Sequence, residues 1–169
     1  REHKTITLYL AAGNNEEQVR ALLSEARSRE GGCWLEETRQ YWHGWLKPVL
    51  HQKTEHRAGA FNRSLLAIKL MLNKETGAPI AAPEFDPHHT SCGGYGYCWP
   101  RDAVYIAAAL DEAGYHEPAA NFYYFAKSVQ DRDGSWHQRY FTDGSVAPFW
   151  GRQIDQAGSV LWGYKHHYN

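Results

Sequence analysis

The sequence predicts a mainly α protein made of antiparallel helix pairs, with long aromatic loops gathered at one end of them. Apolar residues recur every three or four positions through most of the 169 residues, the period of helices that bury one face. Period-two alternation appears in a single place, residues 5–10. The segments between the periodic stretches are long and carry Gly, Pro, Tyr and Trp together, a composition that argues for function and against disorder.

In chain order, residues 5–10 (TITLYL) put Ile6, Leu8 and Leu10 on one face and Thr5, Thr7 and Tyr9 on the other, the pattern of a half-buried strand. A lone strand leaves its backbone groups unpaired, so its sheet is expected upstream of Arg1 or not at all. Asn15 and Gln18 have capping-box spacing and open a helix through Val19, Leu22, Leu23 and Ala26, which Gly31 and Gly32 end. A second helix is expected over about 34–46, burying Leu35, Tyr41, Trp42 and Trp45 before Pro48. From near Thr54, the residues Ala58, Phe61, Leu65, Ile68 and Leu72 form one continuous stripe. An irregular stretch then runs from Asn73 to Pro100. Helices resume over about 101–113, with Val104, Ala107 and Leu110 inward, and over about 117–130 behind Glu117-Pro118. After a hairpin-like turn at Asp143-Gly144, a last helix begins near Asp155 and carries Val160, Leu161 and Tyr164. Four such helices in pairs leave apolar faces bare, so further neighbours beyond Asn169 are expected. The opening at Arg1 without Met, and the close at His-His-Tyr-Asn, read as a piece of a longer polypeptide.

Eighteen Lys+Arg against 19 Asp+Glu give a net charge of −1, which excludes a strongly basic nucleic-acid binder. The longest apolar run, residues 103–110 (AVYIAAAL), is far short of the ~20 residues a membrane span needs. Aromatic residues at 14%, with 7 Trp and 11 Tyr, suit sites where flat apolar faces meet polar edges, as sugar sites do. Cys33, Cys92 and Cys98 are an odd set without zinc spacing. Free thiols are expected, with a 92–98 disulfide the alternative; the compartment stays open, leaning toward the cytoplasm.

The strongest local signal is GGYGYCWPRD, residues 93–102, which ends the long loop at a helix start. Pro100 presets φ for a first turn, Asp102 suits the helix dipole, and Gly94 and Gly96 let the backbone run close to another surface. Arg101 offers a planar fork of donors and Asp102 a pair of acceptors. With Tyr95, Tyr97 and Trp99 beside them, these groups would receive a polyol. The alternative is a helix cap at Asp102, a surface carboxylate paired with Arg101, and core aromatics. DGSWHQR (133–139) and PFWGRQID (148–155) repeat the theme with Trp136 and Trp150 beside Gln138 and Arg152. Here too plain turns and a core tryptophan are the alternative.

YGYCWPRD, DGSWHQR and PFWGRQID in this order, after APEFDPHHTSCGG, resemble the glucoamylase family, glycoside hydrolase family 15, in its prokaryotic form. The resemblance implies part of an (α/α)6 toroid over 54–169, linker helices over 14–53, and the end of an upstream β-sandwich over 1–13. It implies that Arg101 and Asp102 hold the hydroxyls of a terminal, non-reducing sugar, that Tyr95 and Trp99 wall that subsite, and that Gln138 and Trp150 line the cleft, with Tyr97, Trp136, Arg152 and Gln153 less securely matched. The family inverts at the anomeric carbon. One glutamic acid protonates the leaving oxygen and a second carboxylate activates water, ~6.5–9.5 Å away. Both lie C-terminal to the WGRQ-like motif, hence beyond Asn169, so no catalytic residue is expected in this chain.

The implied reaction releases glucose from an α-glucan without an organic cofactor, with α,α-trehalose and dextran as alternative substrates. A non-catalytic carbohydrate-binding or regulatory module, and a self-contained helical interaction domain, are the rivals. Trp34-Leu35-Glu36-Glu37 looks like the family's Trp-Glu-Glu but precedes the Arg-Asp motif, and reads as a solvated helix face. Glu84 and Asp86 read as loop anchors, Asp131 and Asp133 as turn residues, and Asp155 as a helix cap or cleft edge. The pairs His88-His89 and His166-His167 lack a third ligand at useful spacing, so no metal is expected.

Overall fold

The computed structural model describes residues 3–49, 55–84, 88, 94–148 and 151–169, the stretch 55–58 by its backbone alone. Asp86, His89, Cys92, Gly93, Phe149 and Trp150, and the side chain of Ala58, lie outside the described residues. The chain divides into two compact units, Arg1–Lys47 and Pro48–Asn169. Among the described residues, six α-helices, one short 3-10 helix (Lys47–Val49) and three isolated β-bridges make up the regular structure, with no strand.

In the first unit, α1 (Glu16–Arg27) begins as its cap predicts: Gln18 N donates to Asn15 Oδ1 at 2.9 Å, and Asn14 N donates to Gln18 Oε1 at 2.7 Å. Helix α2 (Gly31–Leu46) contains the two glycines expected to separate the helices. Helix ends fray, so the backbone entropy that glycine loses weighs less there than in a helix interior. A Cβ on Gly31 would stand 3.1 Å from Thr7 Cγ2. The Trp34 indole N–H donates to Ala26 O at 2.9 Å, beneath the Arg29 guanidinium 3.6 Å from its ring.

The burial expected here is not found. Leu35 is 63% and Tyr41 56% exposed, and no described residue of this unit is buried. Residues 5–10 join no ladder among the described residues, and Ile6, Leu8 and Leu10 stand in the open. Two helices and one segment cannot enclose a core, and an unpaired segment cannot become a strand.

In the second unit, α3 (Glu55–Met71) buries Leu65 and half-buries Phe61 and Ile68. The core forms where α4 (Pro100–Glu112), α5 (His116–Ser128) and α6 (Ile154–Tyr168) pack on one another. Val104, Ala107 and Leu110 from α4, Phe122 and Phe125 from α5, and Val160 from α6 supply it. Burying each large apolar side chain contributes about 1.5–3 kcal/mol. Gly163 of α6 sits against Tyr123 and Val104, where a Cβ would come within 2.7 Å of the Tyr123 hydroxyl and of Val104 Cγ1. Helices α4 and α5, joined by Ala113-Gly114-Tyr115, form a helical hairpin.

The described parts of the long loops are tied by backbone pairing. Ala81 N donates to Tyr97 O at 3.0 Å and Ala82 N to Tyr95 O at 2.9 Å. Cys98 and Tyr140 exchange both of their bonds at 2.9 Å, and Tyr140 bridges on to Val146. Gly77, at φ 76°, lets the first of these loops lie on α5, since a Cβ there would be 2.7 Å from the Asn121 carbonyl carbon. This paired platform carries the aromatic motif to the N-terminus of α4.

Candidate functional site

Pro100 at the first helical position and Asp102 in the first turn explain where α4 starts. The loop before it is pinned by Gly94, whose φ of 76° suits glycine and whose carbonyl accepts from the Trp99 indole N–H at 3.1 Å. Trp99 and Tyr97 are buried with Ala147, while Tyr95 is 44% exposed, its ring 6.1 Å from that of Trp99 and tilted by 40°.

Arg101 and Asp102 follow Trp99 in the first turn of α4, with side chains 38% and 42% exposed and Arg101 Nε 4.0 Å from Asp102 Oδ2. The guanidinium does not hang free. Its Nη1 donates to Asp155 Oδ2 and, at 3.5 Å, to Gln153 Oε1, both at the start of α6. The paired-carboxylate alternative is therefore realised at Arg101, with Asp155 the carboxylate. An arginine presents five N–H donors, so this pairing leaves others for a second acceptor. The backbone N–H of Arg101 is satisfied by Gln156 Oε1 at 3.2 Å.

Burial first, and the nearby Asp102 carboxylate second, push the Cys98 thiol well above the usual thiol range. It stays protonated and inert. Cys98 and Cys33 are both free thiols.

Gln138 is buried. Its carbonyl accepts from Gln156 Nε2 at 2.7 Å, and its Oε1 has no hydrogen-bond partner among the described residues. Trp136 is a core anchor: it is 3% exposed and its indole N–H donates to Ala126 O at 2.8 Å. Arg152 pairs with the turn carboxylates, donating to Asp133 Oδ2 at 2.8 Å and Asp131 Oδ2 at 2.9 Å. The Ser135 hydroxyl and then Arg152 hold the Asp133 carboxyl well below the usual carboxylate range. Trp150 lies outside the described residues.

Two residues escaped the sequence reading. Arg139 is fully buried, its guanidinium 5.2 Å from the Trp99 ring centre and 5.3 Å from that of Tyr97, with Nε donating to Pro148 O. A cation under both rings stiffens the wall. Gln156 is the other. Its spacing from Gln153 matches a capping box, the one signal that could have found it.

The remaining candidates have plain employment. Glu36 and Glu37 pair with Arg39 and Arg29 on the exposed face of α2. His166 stacks on Trp162 with ring centres 5.3 Å apart, and His167 Nδ1 lies 2.8 Å from Asp111 Oδ2 at the far end of α4. Among the described residues no group of three His, Cys, Asp or Glu is arranged to hold a metal ion, and no helix is long and apolar enough to cross a membrane. A hollow of about 580 Å³ lies in the first unit, lined largely by Leu8, Leu10, Leu22, Ala26 and Trp34.

The helical hairpin thus carries an Arg-Asp pair at a start preceded by a tilted pair of aromatic rings. Residues 55–166 match the model of Glycosyl hydrolases family 15, and the chain belongs to that family. It is 38% identical over 106 residues to an uncharacterized glycosyl hydrolase of Methanocaldococcus jannaschii, covering 63% of this chain and 16% of that one. It is 31% identical to trehalases of Thermoplasma acidophilum and Thermoplasma volcanium, covering 73% and 66% of this chain and 22% and 18% of those proteins. The chain thus spans about a fifth of the length of these relatives. No solved structure matches it.

Proposed function

We propose that this chain supplies the terminal-glucose subsite of an inverting α-glucoside hydrolase, lined by Tyr95, Trp99, Arg101, Asp102, Gln138 and Trp150. The observation that carries the reading is the joint exit of Arg101 and Asp102 from one helix start beside the Tyr95–Trp99 ring pair. A pyranose presents hydroxyls in its plane and C–H groups on its faces, and this wall offers charge-assisted partners to the first and rings to the second. Asp155 and Gln153 hold Arg101 in place before a sugar arrives, which lowers the ordering cost of binding. The acid and base carboxylates belong to the rest of the polypeptide, so the chain by itself binds and does not cleave.

The two relatives named trehalase favour α,α-trehalose as the substrate. The motif resemblance to glucoamylases supports α-glucans, whose terminal glucose is the same chemical group. The test is glucose release by the full-length polypeptide from α,α-trehalose, maltooligosaccharides and isomaltooligosaccharides, with the first-formed anomer followed by proton NMR. Inversion gives β-glucose. Hydrogen bonds to a charged group contribute about 1.5–3 kcal/mol each. Removing two through Arg101→Ala therefore lowers kcat/KM by roughly 10²-fold or more. Near-wild-type kinetics for Arg101→Ala overturn the subsite. Sugar binding without hydrolysis of any of the three makes the protein a binding module.

A further inference from the structure

We propose that Gln156 is the positioning residue of this sugar-binding face, fixing the start of α4, and Arg101 with it, against the loop that carries Gln138. The proposal rests on the glucose-binding role given to Arg101 above. Helix α4 opens at Trp99, which makes no side-chain cap bond, so its first-turn N–H groups need a partner from elsewhere. Gln156, fully buried at the start of α6, provides it: its Oε1 accepts from Arg101 N at 3.2 Å. The amide's other end donates to Gln138 O at 2.7 Å and Gln153 Oε1 at 2.9 Å. One planar group thereby joins two helix starts and a loop.

The chemistry at this position calls for an uncharged amide of this length. The acceptor end faces an N–H, and the donor end faces two oxygens. A carboxylate would repel both oxygens and place a charge in a fully buried spot. An asparagine is one methylene too short to span the three partners, and an apolar side chain strands all of them. The neighbours of Gln156 complete the arrangement, because Asp155 and Gln153 take the guanidinium of the residue whose backbone Gln156 holds. Both ends of Arg101 are thus anchored to the stretch 153–156. Gln156 touches no sugar and acts through Arg101.

The test is a double-mutant cycle in the full-length polypeptide, combining Gln156→Met with Arg101→Ala. It is read as kcat/KM for α,α-trehalose or maltotriose, whichever is cleaved, and as the Kd for glucose. Circular dichroism first establishes that each variant is folded at the assay temperature. Gln156→Met alone is expected to cost about tenfold or more, and nothing further once Arg101 is alanine, because coupled residues are not additive. Multiplicative losses overturn the proposal while leaving the subsite intact, as does a wild-type value for Gln156→Met beside a large loss for Arg101→Ala. An Arg101→Ala variant with unchanged kinetics and unchanged glucose affinity removes the subsite, and this role with it. Should the methionine variant not fold, Gln156→Asn enters the same cycle, and its two outcomes are read in the same way.

Discussion

Two glycines in α6 give opposite answers to one substitution, Gly→Ala. Alanine is favoured over glycine in a helix interior by about 1 kcal/mol. At Gly158 a new Cβ meets nothing within 4 Å, so that gain is kept whole. At Gly163 the same Cβ comes within 2.7 Å of the Tyr123 hydroxyl and of Val104 Cγ1, and 3.2 Å from the Tyr123 ring. Neither neighbour yields easily. Tyr123 is 1% exposed beneath α6, and Val104 is buried and β-branched, with one favoured rotamer in a helix. Overpacking of this kind costs about 1–3 kcal/mol, and two rigid contacts place it near the upper end. The net is about 2 kcal/mol lost at Gly163 against about 1 kcal/mol gained at Gly158, a gap of about 3 kcal/mol. Urea unfolding of the full-length variants, followed through the transition of this helical unit, measures the gap. Midpoints that move together in the stabilising direction would refute the close packing of α6 on α4 and α5.

At the site, Trp99→Ala removes the buried half of the ring pair and the face above Arg139. It is expected to weaken glucose binding by about tenfold or more, corresponding to about 1.4 kcal/mol or more of lost contact, as calorimetry would record. A loss confined to thermal stability would make Trp99 a core residue only. The acid side of the stability profile offers a check on the Arg152 cluster. Because the Asp133 carboxyl is depressed in the folded protein, its contribution is complete above the unfolded value of about 3.9 and is lost as pH falls through the lower folded value. Melting midpoints of Asp133→Asn are therefore expected to fall less steeply than wild type below about pH 4. Parallel curves, or a carbon-13 titration of Asp133 centred near 4, would contradict the depression.

Most of the helical framework was legible because its signals are local. Asn15 with Gln18, Pro100 with Asp102, and the spacing of Val104, Ala107 and Leu110 each act within one or two turns. The first unit misled for a related reason. Alternation at Ile6, Leu8 and Leu10 records a tendency to pair, but pairing needs a neighbour that no local pattern supplies. In the same way Leu35 and Tyr41 have apolar side chains with no second surface among the described residues to meet. The Arg-Asp motif was readable as chemistry, whereas its anchors were not. Asp155 read as a helix cap or a cleft edge, and no role was legible for Gln156 or Arg139. Their roles depend on partners brought close only by packing, such as the 55 positions that separate Arg101 from Gln156.

That separation sets an order of events during synthesis. A nascent chain that has emerged through α4 and α5 holds a helical hairpin whose arginine has nowhere to lodge. Its anchors leave the ribosome only with the first turn of α6. Any product truncated inside the loop over 131–148 consequently has the complete Arg-Asp motif without Gln153, Asp155 and Gln156, the partners that hold Arg101 once the third packed helix has begun.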